Sequence, residues 1–250
     1  MAEFKIIDVS VHQGKIDWAT VKKHVDGVII RCGYGSDYIA QDDKRFRENV
    51  DGCIKHNIQF GVYLYSYAKN ENMARSEAKH VLRLLEPYKG KLSYPVYLDL
   101  EEKGTESGAA ERAIIFGEII EKAGYWCGIY ANDYWWRTLL KGKLDRFTKW
   151  VAHYSRKPSK SIGKYDIWQY SSTGVIPGIN EEVDMNICYR NFPKEIRGDF
   201  SETKPKKSVL EIAKEVIDGL WGNGAERKEK LNAAGYDVKE VQNKVNELLK

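Results

Sequence analysis

The sequence predicts an α/β protein: an irregular (β/α) barrel of TIM-like type over residues 1–192, a linker at 193–207, and a small three-helix module at 208–250. Three observations predict it. Short apolar runs alternate with amphipathic helical stripes from the N-terminus to about residue 190, the pattern of strands joined by helical crossovers. Acids stand at or near the ends of runs that are far apart in the chain, at Asp8, Asp99, Glu101 and Asp184, and a barrel gathers such ends into one mouth. Between Asn191 and Lys207 the apolar period stops, and a different pattern begins at Ser208.

Taken in order, Lys5 to Val9 is the first predicted strand, followed by a turn at Gly14 and a short helix over Ala19 to His24. Val28 to Cys32 is a continuous apolar run, read as a strand buried on both faces, and Gly33 and Gly35 then open a loop. Asp42 to His56 carries Phe46, Val50, Cys53 and Ile54 at helical spacing, and FGVYLYSYA is the third strand. Glu71 to Leu85 places Ala74, Ala78, Val81, Leu82 and Leu85 on one stripe, which predicts a core-facing helix. The strand YPVYLDLEE comes next, then a helix at Ala109 to Ala123, the strand WCGIYA, a short helix at Asp133 to Leu140 and the strand KWVAHYS. YDIWQYSS and VDMNICY, separated by the turn-rich STGVIPGIN, predict a closing hairpin.

The segment NFPKEIRGDFSETKPKK is charged, holds two prolines and lacks periodicity, so it is read as the linker. Beyond it, Ser208 with Glu211, Asn223 with Glu226, and Asp237 with Glu240 are three helix starts of capping-box type, and Gly235 can close the middle helix. Val209, Ile212, Ala213, Val216, Trp221, Leu231, Ala234, Val241, Val245 and Leu248 are the predicted core. So small a module stands near the lower limit for independent folding.

Composition limits the function. A net charge of +4 without a basic run gives no footing for nucleic acid. No segment reaches membrane-spanning length, and the start, MAEFKIIDVSVHQG, lacks the basic and apolar order of a secretory signal, so the expectation is a soluble chain made in the cytoplasm. The four cysteines are widely spaced in apolar surroundings, as buried free thiols are, and the five histidines show no metal-ligand spacing. No metal or cofactor is therefore expected. Seven Trp and 16 Tyr supply flat rings with polar edges, suited to stacking on sugars and equally to ordinary cores.

Within YPVYLDLEE, side chains alternate. Asp99 and Glu101 should share one face about 6.6 Å apart, with Leu98, Leu100 and Glu102 on the other. Two acids on one face can divide the work of glycoside hydrolysis, one protonated to release the leaving oxygen and one ionised beside the developing cation. Alone, such a pair is more often a surface ion pair or a metal ligand.

Six ordered segments, IIDVSVHQGKIDW, VIIRCGYG, FGVYLYSYA, YPVYLDLEE, CGIYAN and IWQYSSTGVIPGINEEVDMN, together resemble the family 25 glycoside hydrolases, lysozymes of phage endolysins and bacterial autolysins. The resemblance covers about residues 3–192. The stretch from Ala213 to Leu249 is similar to the helical cell-wall-binding repeat of pneumococcal-phage lysozyme.

The resemblance implies an N-acetylmuramidase that cleaves the β-1,4 bond between N-acetylmuramic acid and N-acetylglucosamine in bacterial peptidoglycan with retention. It makes Glu101 the general acid and later base. Asp99 is its partner, stabilising an oxazolinium formed by the substrate's 2-acetamido group or, as the less favoured alternative, attacking directly. Asp8 and Asp184 line the same pocket, and four converging acids cannot all ionise cheaply, which fits a raised Glu101 beside an ionised Asp99. Arg31, Tyr65, Tyr67, Tyr130, Trp168 and Gln169 fall where the sugar groove is expected, whereas Glu102 is expected to be dispensable. Peptidoglycan is the expected partner, the wall the expected place of action after release from the cytoplasm, and a phage endolysin is favoured over an autolysin. A non-catalytic wall-binding protein would have no need of all four acids, and a metal-dependent deacetylase would need an acid with two histidines at a spacing absent here.

Overall fold

A computed structural model describes residues 3–154, 156–198, 209–233 and 236–249. They belong to two compact units, one ending at Asp199 and one beginning at Phe200. In the first, eight strands close into a barrel in sequence order: β1 Phe4–Val9, β2 Gly27–Tyr34, β3 Phe60–Tyr65, β4 Val96–Asp99, β5 Cys127–Asn132, β6 Thr148–Ala152, β7 Ile167–Gly174 and β8 Val183–Cys188. The first seven run parallel, and β8 runs antiparallel to both of its neighbours, β7 and β1. The predicted irregular α/β barrel is thus the observed one. Its irregularity lies in the closing hairpin and in the crossovers. Helices α1 Trp18–Val21, α2 Phe46–Lys55, α3 Glu71–Leu85, α4 Ala109–Lys122 and α5 Asp133–Arg137 join the strands from β1 to β6. Between β6 and β7 only a single 3-10 turn, Lys160–Ile162, is formed among the described residues.

The alternation of side chains builds two layers. Outward residues such as Ile7, Val9, Val28, Ile30, Val62, Leu64, Val96, Leu98, Ile129 and Val151 pack under the helices. Inward residues form a second cluster of Ile6, Ile29, Tyr97, Tyr130, Trp150, Ile167 and Cys188, so the barrel is filled and has no channel. Trp150 is its centre, with the Tyr130, Tyr97 and Tyr63 rings set edge-on at centroid distances of 4.7, 5.1 and 6.2 Å. Glycine makes room for this aromatic plug. A β-carbon at Gly128 would collide with the Tyr97 ring and the Thr148 hydroxyl.

Helix α3 has its predicted bounds, because the Asn70 side chain accepts from the Met73 amide and one apolar stripe runs its whole length. The predicted linker differs from the structure at its start. Phe192–Arg197 is a helix, α6, capped by Asn191 with Pro193 in its first turn. Phe192 is fully buried against Tyr94 and Trp126 and belongs to the barrel's inner cluster, so the barrel unit uses this segment as a plug. All four cysteines are buried free thiols.

In the second unit, α7 Val209–Ile217, α8 Gly224–Ala233 and α9 Val238–Leu248 surround Ile212, Ala213, Val216, Leu231, Val241 and Val245. Asp237 caps α9 by accepting from the Lys239 and Glu240 amides. Leu248, expected in this core, is exposed instead, at the last residue of α9. Ser208, Ala234 and Gly235 lie outside the described residues. Among the described residues no helix is long and apolar enough to cross a membrane.

Candidate active site

Going up the barrel interior, each apolar layer gives way to polar residues two positions nearer the mouth. Ile6 is followed by Asp8, Ile29 by Arg31, Tyr97 by Asp99 and Ile167 by Gln169, as the two-residue period requires. On β8 the order is reversed. Because that strand runs antiparallel, Asp184 near its beginning stands opposite Asp8 in register. Asp8, Asp99, Glu101 and Asp184 therefore line one cavity of about 210 Å³, with Arg31, Tyr63, Tyr65, Tyr130, Trp150, Tyr154 and Gln169.

Asp8 is held by two amides. Its Oδ2 accepts from Gln169 Nε2 at 3.0 Å and from Asn186 Nδ2 at 2.8 Å. Both amide orientations are determined by their other ends: Gln169 Oε1 accepts from the Tyr130 and Tyr154 hydroxyls at 2.9 and 3.0 Å, and Asn186 Oδ1 accepts from Trp150 Nε1 at 2.8 Å. The plug thus orients the acids above it. Arg31, the only Lys or Arg among the described residues lining this cavity, is positioned by buried Asp43, whose Oδ2 accepts from Arg31 Nε at 2.8 Å and from the Val11 amide at 3.0 Å.

Crowding raises the affinity of the acids for protons. Burial pushes Asp8 up to about 6, against the pull of the Asn186 and Gln169 amides. Burial, then its hydrogen-bonded neighbour Asp8, push Asp184 up to about 8, so this pair shares a proton near neutral pH. Asp99 is held well above the carboxylate range by burial first and by Glu101 and Asp8 next, with Arg31 pulling the other way. Its Oδ1 is buried with no hydrogen-bond partner among the described residues. Glu101 is raised by burial, Asp184 and Glu102, and lowered by the Tyr130 hydroxyl. The sequence-based expectation of one raised Glu beside an ionised Asp is therefore too simple for the free site, where burial favours the proton on Asp99 as well.

Three expected residues take other places. β4 ends at Asp99, so alternation no longer governs the residues beyond it, and Glu102 turns towards the mouth, where its Oε2 accepts from the Tyr65 hydroxyl at 2.9 Å. Tyr67 lies past the end of β3, outside the cavity, packed on Tyr65 and Tyr34. Trp168 sits between inward Ile167 and Gln169 and so faces out, its Nε1 donating to the His153 carbonyl at 2.9 Å. Sequence reasoning missed Asn186, Trp150 and Tyr154; only the alternation of β8 and β6 pointed to the first two. It missed Glu77 of α3 as well, a fully buried acid pushed up by burial to about 7, which accepts from the Ser66 hydroxyl and the Tyr67 amide and ties down the loop after β3.

A second cleft of about 450 Å³ adjoins the first. It shares Glu101, Tyr130 and Tyr154 with the first cavity and adds Asn132, Asp133, Tyr134, Arg137, Ala152 and His153. A larger cavity, about 690 Å³, lies away from these acids around Tyr125, Trp126, Lys149 and Arg190. Its acids Glu121, Asp145 and Asp166 are each paired with a Lys or Arg, so converging unpaired acids, and not volume, mark the site. Among the described residues no group of three or more His, Cys, Asp or Glu is arranged to hold a metal ion.

A closed barrel that brings carboxyls and aromatic rings together at the ends of its parallel strands is the arrangement that a barrel glycoside hydrolase uses. Comparison with known proteins narrows this class. Residues 7–179 match glycosyl hydrolases family 25, and residues 211–249 match the CW_7 repeat. The chain is 28% identical to the lysozyme of Streptococcus phage Cp-7 over 264 residues, covering 97% of this chain and 69% of that one. The autolysin LytC of Streptococcus pneumoniae superposes with a TM-score of 0.63 at 32% identity, over 75% of this chain but only 47% of its own. The catalytic domain of a Listeria monocytogenes phage endolysin, ply40, superposes at 0.68 with 28% identity, over 79% of this chain and 98% of its own. The chain belongs to glycosyl hydrolases family 25, the lysozyme family, and carries a CW_7 repeat after its barrel.

Proposed function

We propose that the chain is a 1,4-β-N-acetylmuramidase that cleaves peptidoglycan between N-acetylmuramic acid and N-acetylglucosamine with retention, and that it serves as a phage endolysin. One observation carries the catalytic reading: Glu101 is the acid that borders both the deep cavity and the adjoining cleft. A glycosidic oxygen being protonated must lie between the sugar that becomes the cation and the sugar that leaves, and Glu101 borders both spaces.

Glu101 is accordingly the general acid and then the base. Asp99 lies under the deep cavity, and its unpartnered oxygen can accept an acetamido N–H of the bound sugar. That contact favours the ionised form of Asp99 as positive charge develops on the oxazolinium. Asp8 and Asp184 share a second proton, and Asp8 is held by the Gln169 and Asn186 amides; Arg31, Tyr65 and Tyr130 border the sugar. The assignment of residues 1–192 to catalysis, 193–207 to a linker and 208–250 to wall binding belongs to the same reading, with α6 transferred to the barrel. A wall-bound repeat raises the local concentration of the catalytic unit on its polymer.

Glu101→Gln should abolish the clearing of peptidoglycan suspensions, by about a hundredfold or more, while wall pull-down is retained. Clearing near the wild-type rate would remove Glu101 from the acid role. Mass spectrometry of released muropeptides should find muramic acid at the reducing ends; N-acetylglucosamine there would mark a glucosaminidase.

A further inference from the structure

The cleft beyond Glu101 contains a cationic group that hydrolysis of the sugar bond does not require. Arg137, at the end of α5, has its Nε fixed by Asp133 Oδ2 at 2.6 Å. Asp133 is in turn fixed through its other oxygen, which accepts from the Ser159 amide at 2.7 Å. Burial pushes the Asp133 carboxyl up, but the Ser159 amide and Arg137 outweigh it and hold it below the usual range, so the anchor is an anion. With Nε engaged, the guanidinium cannot rotate freely, and its terminal edge, Nη1 and Nη2, has no partner among the described residues. That edge is the end-on face that pairs with a carboxylate through two parallel hydrogen bonds.

The walls beside it are rings. Tyr134 is 59% exposed and Tyr154 54% exposed, far more than the structure's core aromatics, and both line the cleft with Asn132, Arg137 and His153. Neither exposed ring is needed to bury α5, whose packing rests on Trp135 and Trp136. The electrostatics of the neighbouring cavity make the arrangement selective. Four acids crowd that cavity around the Arg31 guanidinium, whose Nε is already held by Asp43. An anionic substituent on the substrate gains nothing among the acids of that cavity, whereas the open Nη edge of Arg137, oriented by its Nε contact with Asp133, offers it a charge-assisted donor.

We propose that the cleft lined by Asn132, Tyr134, Arg137, His153 and Tyr154 is, beside the leaving N-acetylglucosamine, a recognition site for a carboxylate carried by the substituent of an adjacent muramic acid of the glycan strand, bound end-on by Arg137 between the two tyrosine rings. This rests on the muramidase reading and adds a specificity residue to it. Arg137 touches the substituent, not the reacting atoms, so it acts on binding. Two sources share the chemistry: the carboxylates of a stem peptide, and the lactyl carboxylate that is exposed when the peptide is removed.

The test compares the wild-type chain with Arg137→Gln and Arg137→Lys on three soluble glycan substrates: strands with intact stem peptides, the same strands with their carboxylates amidated, and strands stripped to the lactyl group by an amidase. On intact strands Arg137→Gln should raise KM by about tenfold with kcat nearly unchanged, the size expected for a charge-assisted pair. Arg137→Lys should recover part of the loss. On amidated strands the wild type and the variants should have the same KM. A tenfold effect on intact strands identifies the peptide carboxylate as the ligand, and one confined to stripped strands identifies the lactyl group. Equal effects on charged and amidated strands, or none on any, overturn the proposal. A muramic acid reducing end from the wild type checks the muramidase reading separately, so its failure is distinguishable from that of the Arg137 site. Equal melting temperatures for the three proteins exclude a folding defect as the source of a KM change.

Discussion

The mouth of the barrel and the cavity around Trp126 and Lys149 are both rich in charge and are built on opposite principles. Around Trp126 every described acid has a base: Asp145 meets Lys149 at 2.6 Å, Asp166 meets Arg190 at 3.6 Å and Glu121 pairs with Arg146. At the mouth, Asp8, Asp99, Glu101 and Asp184 face one another with Arg31 as the only Lys or Arg among the described lining residues. Paired charges hold elements together. Unpaired buried charges cost stability and gain reactive protons, which is why strongly raised carboxyls gather at the mouth.

The largest expected effect tests that contrast directly. Asp99→Asn should lower turnover by about a hundredfold or more, yet its melting temperature should equal or exceed that of the wild type, because a buried titratable carboxyl with an unpartnered oxygen is removed from a crowd of acids. A melting temperature several degrees lower would mean that the mouth acids stabilise the barrel and that the contrast is false. Asp166→Ala should do the reverse. Its Oδ2 accepts from the Lys149 amide at 2.9 Å, so its loss should cost about 1–3 kcal/mol in urea unfolding, with kcat unchanged.

A third effect is in the pH dependence of stability. Asp184 has an ordinary value of 3.8 and a folded value of about 8. Below 3.8 both folded and unfolded chains carry the proton. Between that value and about 8 the folded chain binds more protons than the unfolded one, so stability falls as pH rises through this window and levels off above it. Asp184→Asn should flatten that fall in urea titrations taken from pH 4 to 9. An unchanged slope would separate Asp184 from the proton-sharing cluster.

Particular residues explain how far the chain could be read. The bounds of α3 were legible because Asn70 caps it and its apolar stripe is unbroken. The same kinds of signal, Asn191 as cap and Pro193 in the first turn, announced α6, but six residues with one buried ring give too short a period to stand out from a charged stretch. Asp8, Asp99 and Asp184 were legible because each sits within a strand whose two-residue period turns it inward, whereas Glu101 lies past the end of β4 and was placed by its motif. Glu102 was misread because the strand ends at Asp99 and the period ends with it. Trp168 was placed by its neighbours in the motif, while its own position between two inward residues turned it out.

The sequence by itself determined the barrel, the module after it, the inward acids and the family likeness, since these rest on local periodicity and on residue types at fixed spacing. Tertiary structure alone decided that β8 runs antiparallel and brings Asp184 onto Asp8, that Asn186 and Gln169 clamp Asp8 from strands more than 150 residues away, and that Arg137 presents a fixed, unpaired edge to the cleft beside Glu101. The reason is physical. A side chain's face is set by its neighbours along the strand, whereas its partner, its burial and hence its proton affinity depend on which distant strand closes the barrel beside it.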